Sequence, residues 1–213
     1  MKILAVEFSS RERSVAVAQW DGGQAPLLLG RAAETKFNRA LGLVEEALQQ
    51  AHCEREEIEV IAVGLGPGSY TGIRAAIAVA QGWQLARGTK LLGLSSLESM
   101  AAQAQAEKLF GRVNLALDAQ RGEFYLATWE ISSGQRRELA PLQLVPAAEL
   151  AARHAAGELC AGPDFERRLF PTAATLAVLA AGRADFLPGE KLEPVYLRET
   201  SFVKAPVTRP APL

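Results

Sequence analysis

One stretch, residues 64–86 (GLGPGSYTGIRAAIAVAQGWQLA), limits what this chain can fold into more than any other. Residues 58–63 (IEVIAV) precede it, a β-branched apolar run of strand length that empties into Gly64, Gly66, Pro67 and Gly68. That pattern predicts a buried strand ending in a glycine turn. Ser69 or Thr71 then offers a side-chain oxygen to cap a helix over 71–86, with Arg87 suited to its C-terminal end and Gly88 to its stop. Between 71 and 86 the only charge is Arg74, and small residues recur at Gly72, Ala76 and Ala80 with Ala75, Ala78 and Gly82 beside them. A helix with no polar face must be covered all round. Small residues four apart let another backbone come close, although each internal glycine costs about 1 kcal/mol against alanine. Two covers satisfy this: the chain's own core, or a second protein. A membrane span needs roughly 20 mostly apolar residues, and this stretch is too short, too rich in glycine and too close to Arg74 and Arg87 to be one.

The turn matches no common phosphate loop. A P-loop requires a lysine after its last glycine, but Gly68 is followed by Ser69, Tyr70 and Thr71. The dinucleotide fingerprint fails as well, because Thr71 stands where its third glycine belongs.

The chain has 213 residues, of which 49% are apolar, enough for a sizeable core in one large domain or two small lobes. A net charge of −1 disfavours stable, sequence-independent RNA binding, which rests on many cationic contacts to phosphates. Cys53 and Cys160 form no ligand spacing or disulfide framework, and Met1-Lys2 leads straight into a short apolar run, so a cytoplasmic protein is expected. In order, strands are expected over 2–8, 14–20 and 27–33, then a helix from about Asn38 with Leu41, Val44 and Leu48 on one stripe, then the strand and helix already described. A short strand over 91–94 and a helix opened by the capping box Ser95-Ser96-Leu97-Glu98 then bridge to the second half. There the same α/β unit of three strands, helix, strand, helix occurs again: strands over 113–117, 123–131 and 137–145, a helix from Pro146, a strand over 158–161 and a helix over 172–181. Even the first strands align, Leu4-Ala5-Val6-Glu7 against Leu115-Ala116-Leu117-Asp118, each ending in a carboxylate. A repeated unit implies two similar lobes with a cleft between them. The expected division is 1–110 for the first lobe, 111–200 for the second and 201–213 for a flexible proline-rich tail.

The nonapeptide Gly66-Pro67-Gly68-Ser69-Tyr70-Thr71-Gly72-Ile73-Arg74 resembles the signature of the bacterial TsaB (YeaZ) family. Three further segments extend the resemblance along nearly the whole chain: Ile3-Leu4-Ala5-Val6-Glu7-Phe8-Ser9-Ser10, Asp118-Ala119-Gln120-Arg121-Gly122-Glu123-Phe124-Tyr125 and Glu193-Pro194-Val195-Tyr196-Leu197-Arg198. The resemblance implies an actin-like fold of two ribonuclease H-like lobes, the same architecture that the internal repeat suggests. It also implies a non-catalytic partner of the catalytic paralogue TsaD, acting with the ATPase TsaE to install threonylcarbamoyl on adenosine next to the tRNA anticodon.

A working active site is not expected. Actin-like ATPases hold metal and water through the acidic residue ending each lobe's first strand and need a glycine two positions later. Here Glu7 and Asp118 occupy the acidic positions, but Ser9 and Gln120 replace the glycines, and the adenosine-side pair is reduced to Cys160-Ala161-Gly162-Pro163. Each carboxylate is therefore either a degenerate cleft residue or simply the cap of a turn. His52 and His154 lie in different halves without a second ligand at helical spacing, so no metal and no cofactor are expected, and no base is placed beside a serine or cysteine nucleophile. Two other classes stay open: an ATP-dependent phosphotransferase or ATPase, active or degenerate, and, less favoured, a metallopeptidase. The expected partner surface comprises Leu41, Val44, Leu48, Gly72, Ile73, Ala76, Ile77, Ala80 and Trp83. A homodimer through these helices is expected when the chain is alone, with TsaD competing for the same face, no stable direct tRNA binding and no membrane association.

Overall fold

The structure, a computed structural model, describes residues 1–23, 25–35 and 40–197. The expected cap at Asn38 and the tail 201–213 fall outside the described residues. Two sheets are built from the repeated unit. β1 (Lys2–Glu7), β2 (Arg13–Gln19) and β3 (Leu27–Glu34) form the expected meander, and β4 (Val60–Gly64) and β5 (Lys90–Leu94) add in parallel on the other side of β1, giving the order β3-β2-β1-β4-β5. β6 (Gly111–Asp118), β7 (Glu123–Ile131), β8 (Arg136–Pro146) and β9 (Leu159–Ala161) give β8-β7-β6-β9, the same order without a fifth strand. This is the architecture of two ribonuclease H-like lobes.

The central strands are apolar on both faces because both faces are covered. On the first sheet, Leu4, Val6, Ile61 and Val63 pack against α1 (Ala40–Gln50) and α2 (Tyr70–Arg87). The opposite face carries Ala5, Ala16, Ala18 and Ala62 between larger residues, and these small side chains let a helix settle close to the backbone. That helix is α5 (Ala173–Ala180), contributing Ala173, Leu176, Ala177 and Ala180 from the second repeat. The second sheet is covered in turn by α3 (Ser96–Ala106) from the first repeat, through Leu97, Met100, Ala101 and Ala104, and on its other face by α4 (Ala147–Ala155) through Leu150. The order three strands, helix, strand, helix thus occurs twice as the sequence predicts, but α5, the last helix of the second unit, sits on the first sheet, and α3, the bridge after the first unit, sits on the second. α3 and α5 pack on one another between the sheets, tied where the Thr172 N–H donates to Ser99 Oγ at 3.4 Å, and the Ala173 N–H fastens the start of α5 to β2 by donating to Ser14 Oγ at 2.9 Å. Among the described residues no helix is long and apolar enough to cross a membrane.

Candidate functional site

The glycine turn is built for close approach to the end of β1. The N–H of Ser69 donates to the carbonyl of Ser9 at 2.6 Å, and Ser69 caps α2 by accepting from the Gly72 N–H, which decides between the two candidate caps in favour of Ser69 over Thr71. A Cβ on Gly68 would overlap the carbonyl of Ser9, and one on Gly72 the carbonyl of Phe8. Gly68 also has φ +145°, a region that L side chains rarely enter. Gly66 accepts from the Ser96 N–H at 2.9 Å and donates its own N–H to Ser96 Oγ, so the turn, Pro67 included, is pinned between β1 and the start of α3. Arg74 takes no part in the cap; it is exposed, and its Nη1 donates to the Tyr70 hydroxyl at 2.8 Å.

Glu7 is completely buried beneath this turn. Its Oε1 accepts from the Ser9 N–H at 2.8 Å and its Oε2 from the Ser96 hydroxyl at 2.9 Å, while Gly64 packs directly against the carboxyl group. Burial pushes the Glu7 carboxyl above the ordinary glutamate range, against the opposing effect of the Ser9 and Ser96 hydrogen bonds, which favour the charged form. Glu7 is a structural hub and is not a cleft residue, which corrects the first of the two readings offered for it. Asp118, by contrast, is exposed and lines the cleft, but its Oδ1 accepts from the Gln120 N–H at 2.8 Å and its Oδ2 from the Gln120 side chain at 2.9 Å. Both carboxylates cap the backbone two residues on, the local pattern of a turn. In the second lobe Gly162 is required for packing, since a Cβ would overlap the carbonyl of Ala116, and Cys160 is a free, buried thiol. His52 and His154 are exposed, His154 against the edge of Phe165, and among the described residues no three His, Cys, Asp or Glu side chains gather where they could hold a metal.

The cleft is a cavity of about 1190 Å³ on which all four motif segments converge. It receives Ser9 and Ser10 from the first, Gly68 to Thr71 and Arg74 from the second, Asp118 to Arg121 and Tyr125 from the third, and Tyr196 from the fourth. The last of these is held in place by the Val195 N–H, which donates to the carbonyl of Leu65 at 2.9 Å. Arg11 bolts one wall to the other, donating to the carbonyl of Pro163 at 2.9 Å and pairing with Asp164 at 3.2 Å. Arg11, Arg13, Arg121, Tyr125 and Tyr196 escape a reading based on catalytic motifs. The signal that was present is one tyrosine in each of three motif segments.

The second candidate surface is the outside of α2, and here the structure redraws the expectation. Ile73, Ala76 and Ala80 are fully buried, Ile77, Val44 and Leu48 nearly so, and Gly72 packs on Phe8; these residues belong to the chain's own core. Trp83 is half-buried against the same core. Of the expected residues only Leu41 is well exposed, at 65%. The outward stripe of α2 is instead Thr71, Ala78, Gly82 and Leu85, with Leu85 90% exposed and open space where a Cβ on Gly82 would sit, while Ala75 beside it is half-buried on the core. The sequence could not choose between the stripes, because both are made of small and apolar residues.

Comparison with known proteins sets these sites in context. A family model described as TsaD, tRNA N6-adenosine threonylcarbamoyltransferase, matches residues 9–182. The tRNA threonylcarbamoyladenosine biosynthesis protein TsaB of Escherichia coli is 33% identical over 130 residues, covering 61% of this chain and 55% of the relative. That of Bacillus subtilis is 27% identical over 149 residues, covering 70% and 64%. The matched region is thus between about half and two thirds of the length of these curated relatives. The structure named YeaZ from Pseudomonas aeruginosa superposes with a TM-score of 0.75 at 30% identity, over 92% of this chain and 99% of that one.

Proposed function

The chain belongs to the TsaB (YeaZ) family, whose fold the threonylcarbamoyltransferase model spans, and from that premise we propose that it is a non-catalytic subunit in the synthesis of threonylcarbamoyladenosine on tRNA. In this reading it binds and supports the catalytic paralogue TsaD, together with the ATPase TsaE, in the cytoplasm. Its chemistry is protein association. The observation that carries the reading is the outer face of α2: a charge-poor stripe of small residues ending in Leu85, with Leu41 of the neighbouring α1 also turned to solvent. Small side chains allow a partner helix to approach closely, and an uncovered apolar face of this kind marks an association surface. The cleft supports the same reading, because neither first-strand carboxylate is left free: Glu7 is sealed behind Gly64, and Asp118 is engaged by Gln120.

In the absence of TsaD the same face is expected to pair with a second copy of the chain, and a two-fold arrangement would place each α2 stripe against its mate. The test is sedimentation of the chain alone and mixed with TsaD. Leu85→Asp puts a charge into the proposed interface, twice in a homodimer, and is expected to give a folded monomer that no longer assembles with TsaD or supports tRNA modification in the reconstituted system. A Leu85→Asp protein that still dimerises and still binds TsaD refutes the interface.

A further inference from the structure

All three tyrosines of the chain line the cleft, and two of them form a platform at its mouth. Tyr70 and Tyr196 stack at 5.3 Å between ring centroids with 25° between their planes, and they remain 54% and 40% exposed. The Arg74 guanidinium lies 5.1 Å from the Tyr70 ring and donates to its hydroxyl, so it is held beside the stack. Among the described residues the cavity is lined by four arginines and no lysine, and its two aspartates are already engaged, Asp164 by Arg11 and Asp118 by Gln120. Neither Arg74 nor Arg121 has a carboxylate partner there. Arg121 is also presented against its backbone preference: it and Gln120 hold φ of +59° and +65°, a conformation that residues with a side chain keep only where their surroundings impose it.

Three features say what such a surface takes. Exposed tyrosine and arginine without lysine is the composition of the centre of a protein–protein interface, where aromatic rings and guanidinium groups dominate and lysine is depleted. The cavity, about 1190 Å³, exceeds the roughly 300–1,000 Å³ that small ligands fill. A phosphate finds little to hold it, because the backbone N–H groups of Ser69 and Gly72, at the start of α2, are spent on the Ser9 carbonyl and on Ser69 Oγ. A carboxylate needs only the guanidinium fork, whose parallel N–H groups meet its two oxygens side by side.

We propose that the cleft is a docking site for an acidic segment of a partner protein, its carboxylates on Arg74 and Arg121 and an apolar side chain on the Tyr70–Tyr196 stack. A polynucleotide strand fits less well, because the arginines gather in one cavity and do not track along a groove, as successive phosphates would require. Leu85, which carries the association reading, lies at the opposite end of α2 from Tyr70. Sedimentation with TsaD therefore reads one surface and peptide binding the other, and failure of either leaves the other standing.

The experiment is selection of a random-peptide phage library on the immobilised full chain, which presupposes no particular partner. Enrichment of acidic clones that carry an aromatic or large aliphatic residue is expected. The strongest clone, synthesised with a fluorophore and titrated by anisotropy, is expected to bind more weakly as salt is raised. Arg121→Asn and Tyr196→Ala are each expected to weaken it about tenfold, which is about 1.4 kcal/mol, while Tyr196→Phe, which keeps the ring, stays within about threefold. Arg121 is exposed at a turn tip and asparagine tolerates its positive φ, so the replacement leaves the fold intact; Arg112→Gln, exposed on β6 and outside the cavity, serves as the unaffected control. No enrichment, enrichment of neutral or basic clones, full affinity in Arg121→Asn or in Tyr196→Ala, or displacement of the peptide by AMP or by a single-stranded oligoribonucleotide would each overturn the proposal.

Discussion

The two first strands, β1 and β6, end in the same local device and meet opposite fates. In each, a carboxylate accepts from the backbone N–H two residues on, Glu7 from Ser9 and Asp118 from Gln120. Glu7 is fully buried and also bound by Ser96, whereas Asp118 is exposed and satisfied by its own turn. The two lobes diverge after their fourth strands. In the first lobe β5 adds to the sheet and delivers Ser96 over Glu7; in the second, β9 is the edge and the chain leaves to lay α5 across the first sheet. A repeated sequence pattern can therefore keep its hydrogen bonds while losing the equivalence of its sites.

The largest effect that would test this comparison comes from the glycines that dock each turn on its first strand. Gly72→Leu would drive a side chain into the carbonyl of Phe8 and Gly162→Leu into that of Ala116, so both are expected to lose about 3 kcal/mol or more, with loss of soluble folded protein by circular dichroism and size exclusion. A folded Gly72→Leu protein beside an unfolded Gly162→Leu protein would break the parallel between the lobes.

Next in size is the contrast between the carboxylates. Glu7→Ala would strand the Ser9 N–H and the Ser96 hydroxyl in the interior and is expected to cost about 3 kcal/mol. Asp118→Ala exposes its partners only to water and is expected to cost less than about 1 kcal/mol. Equal losses in chemical denaturation would mean that Glu7 is less enclosed than its surroundings imply.

The smallest effect is in pH dependence. The folded state raises the Glu7 carboxyl above 4.5, so it binds that proton more tightly than the unfolded chain does. The associated stability is present below the ordinary glutamate range and is lost as pH climbs from there toward the raised value. Glu7→Gln removes this slope. The wild type should therefore gain stability on the variant as pH is lowered toward the ordinary glutamate range, which denaturant titrations at a series of pH values would read. A wild type that loses ground to Glu7→Gln on acidification would reverse the sign and place Glu7 in a charge-stabilising site.

Whatever depends on neighbours along the chain is legible in the residues alone: the β-branched run into the glycine turn, the stop of α2, the order of elements in both halves, and the four segments that carry the family resemblance. Their signals are local because strand patterning, caps and turns are satisfied within a few residues. Tertiary structure alone decided which stripe of α2 faces out. Periodicity locates a buried face only where apolar residues contrast with polar ones, and in α2 Ala76 and Ala80 on the inside differ little from Ala78 and Gly82 on the outside. It also decided the placement of α3 and α5 on each other's sheets, since nothing within an alanine-rich helix names the sheet it will cover and only the path of the chain selects one. The tyrosines obey the same logic: residues 70, 125 and 196 carry no signal singly along the chain, and Tyr70 and Tyr196 become a platform only because the packing of the two lobes brings their segments to one cavity.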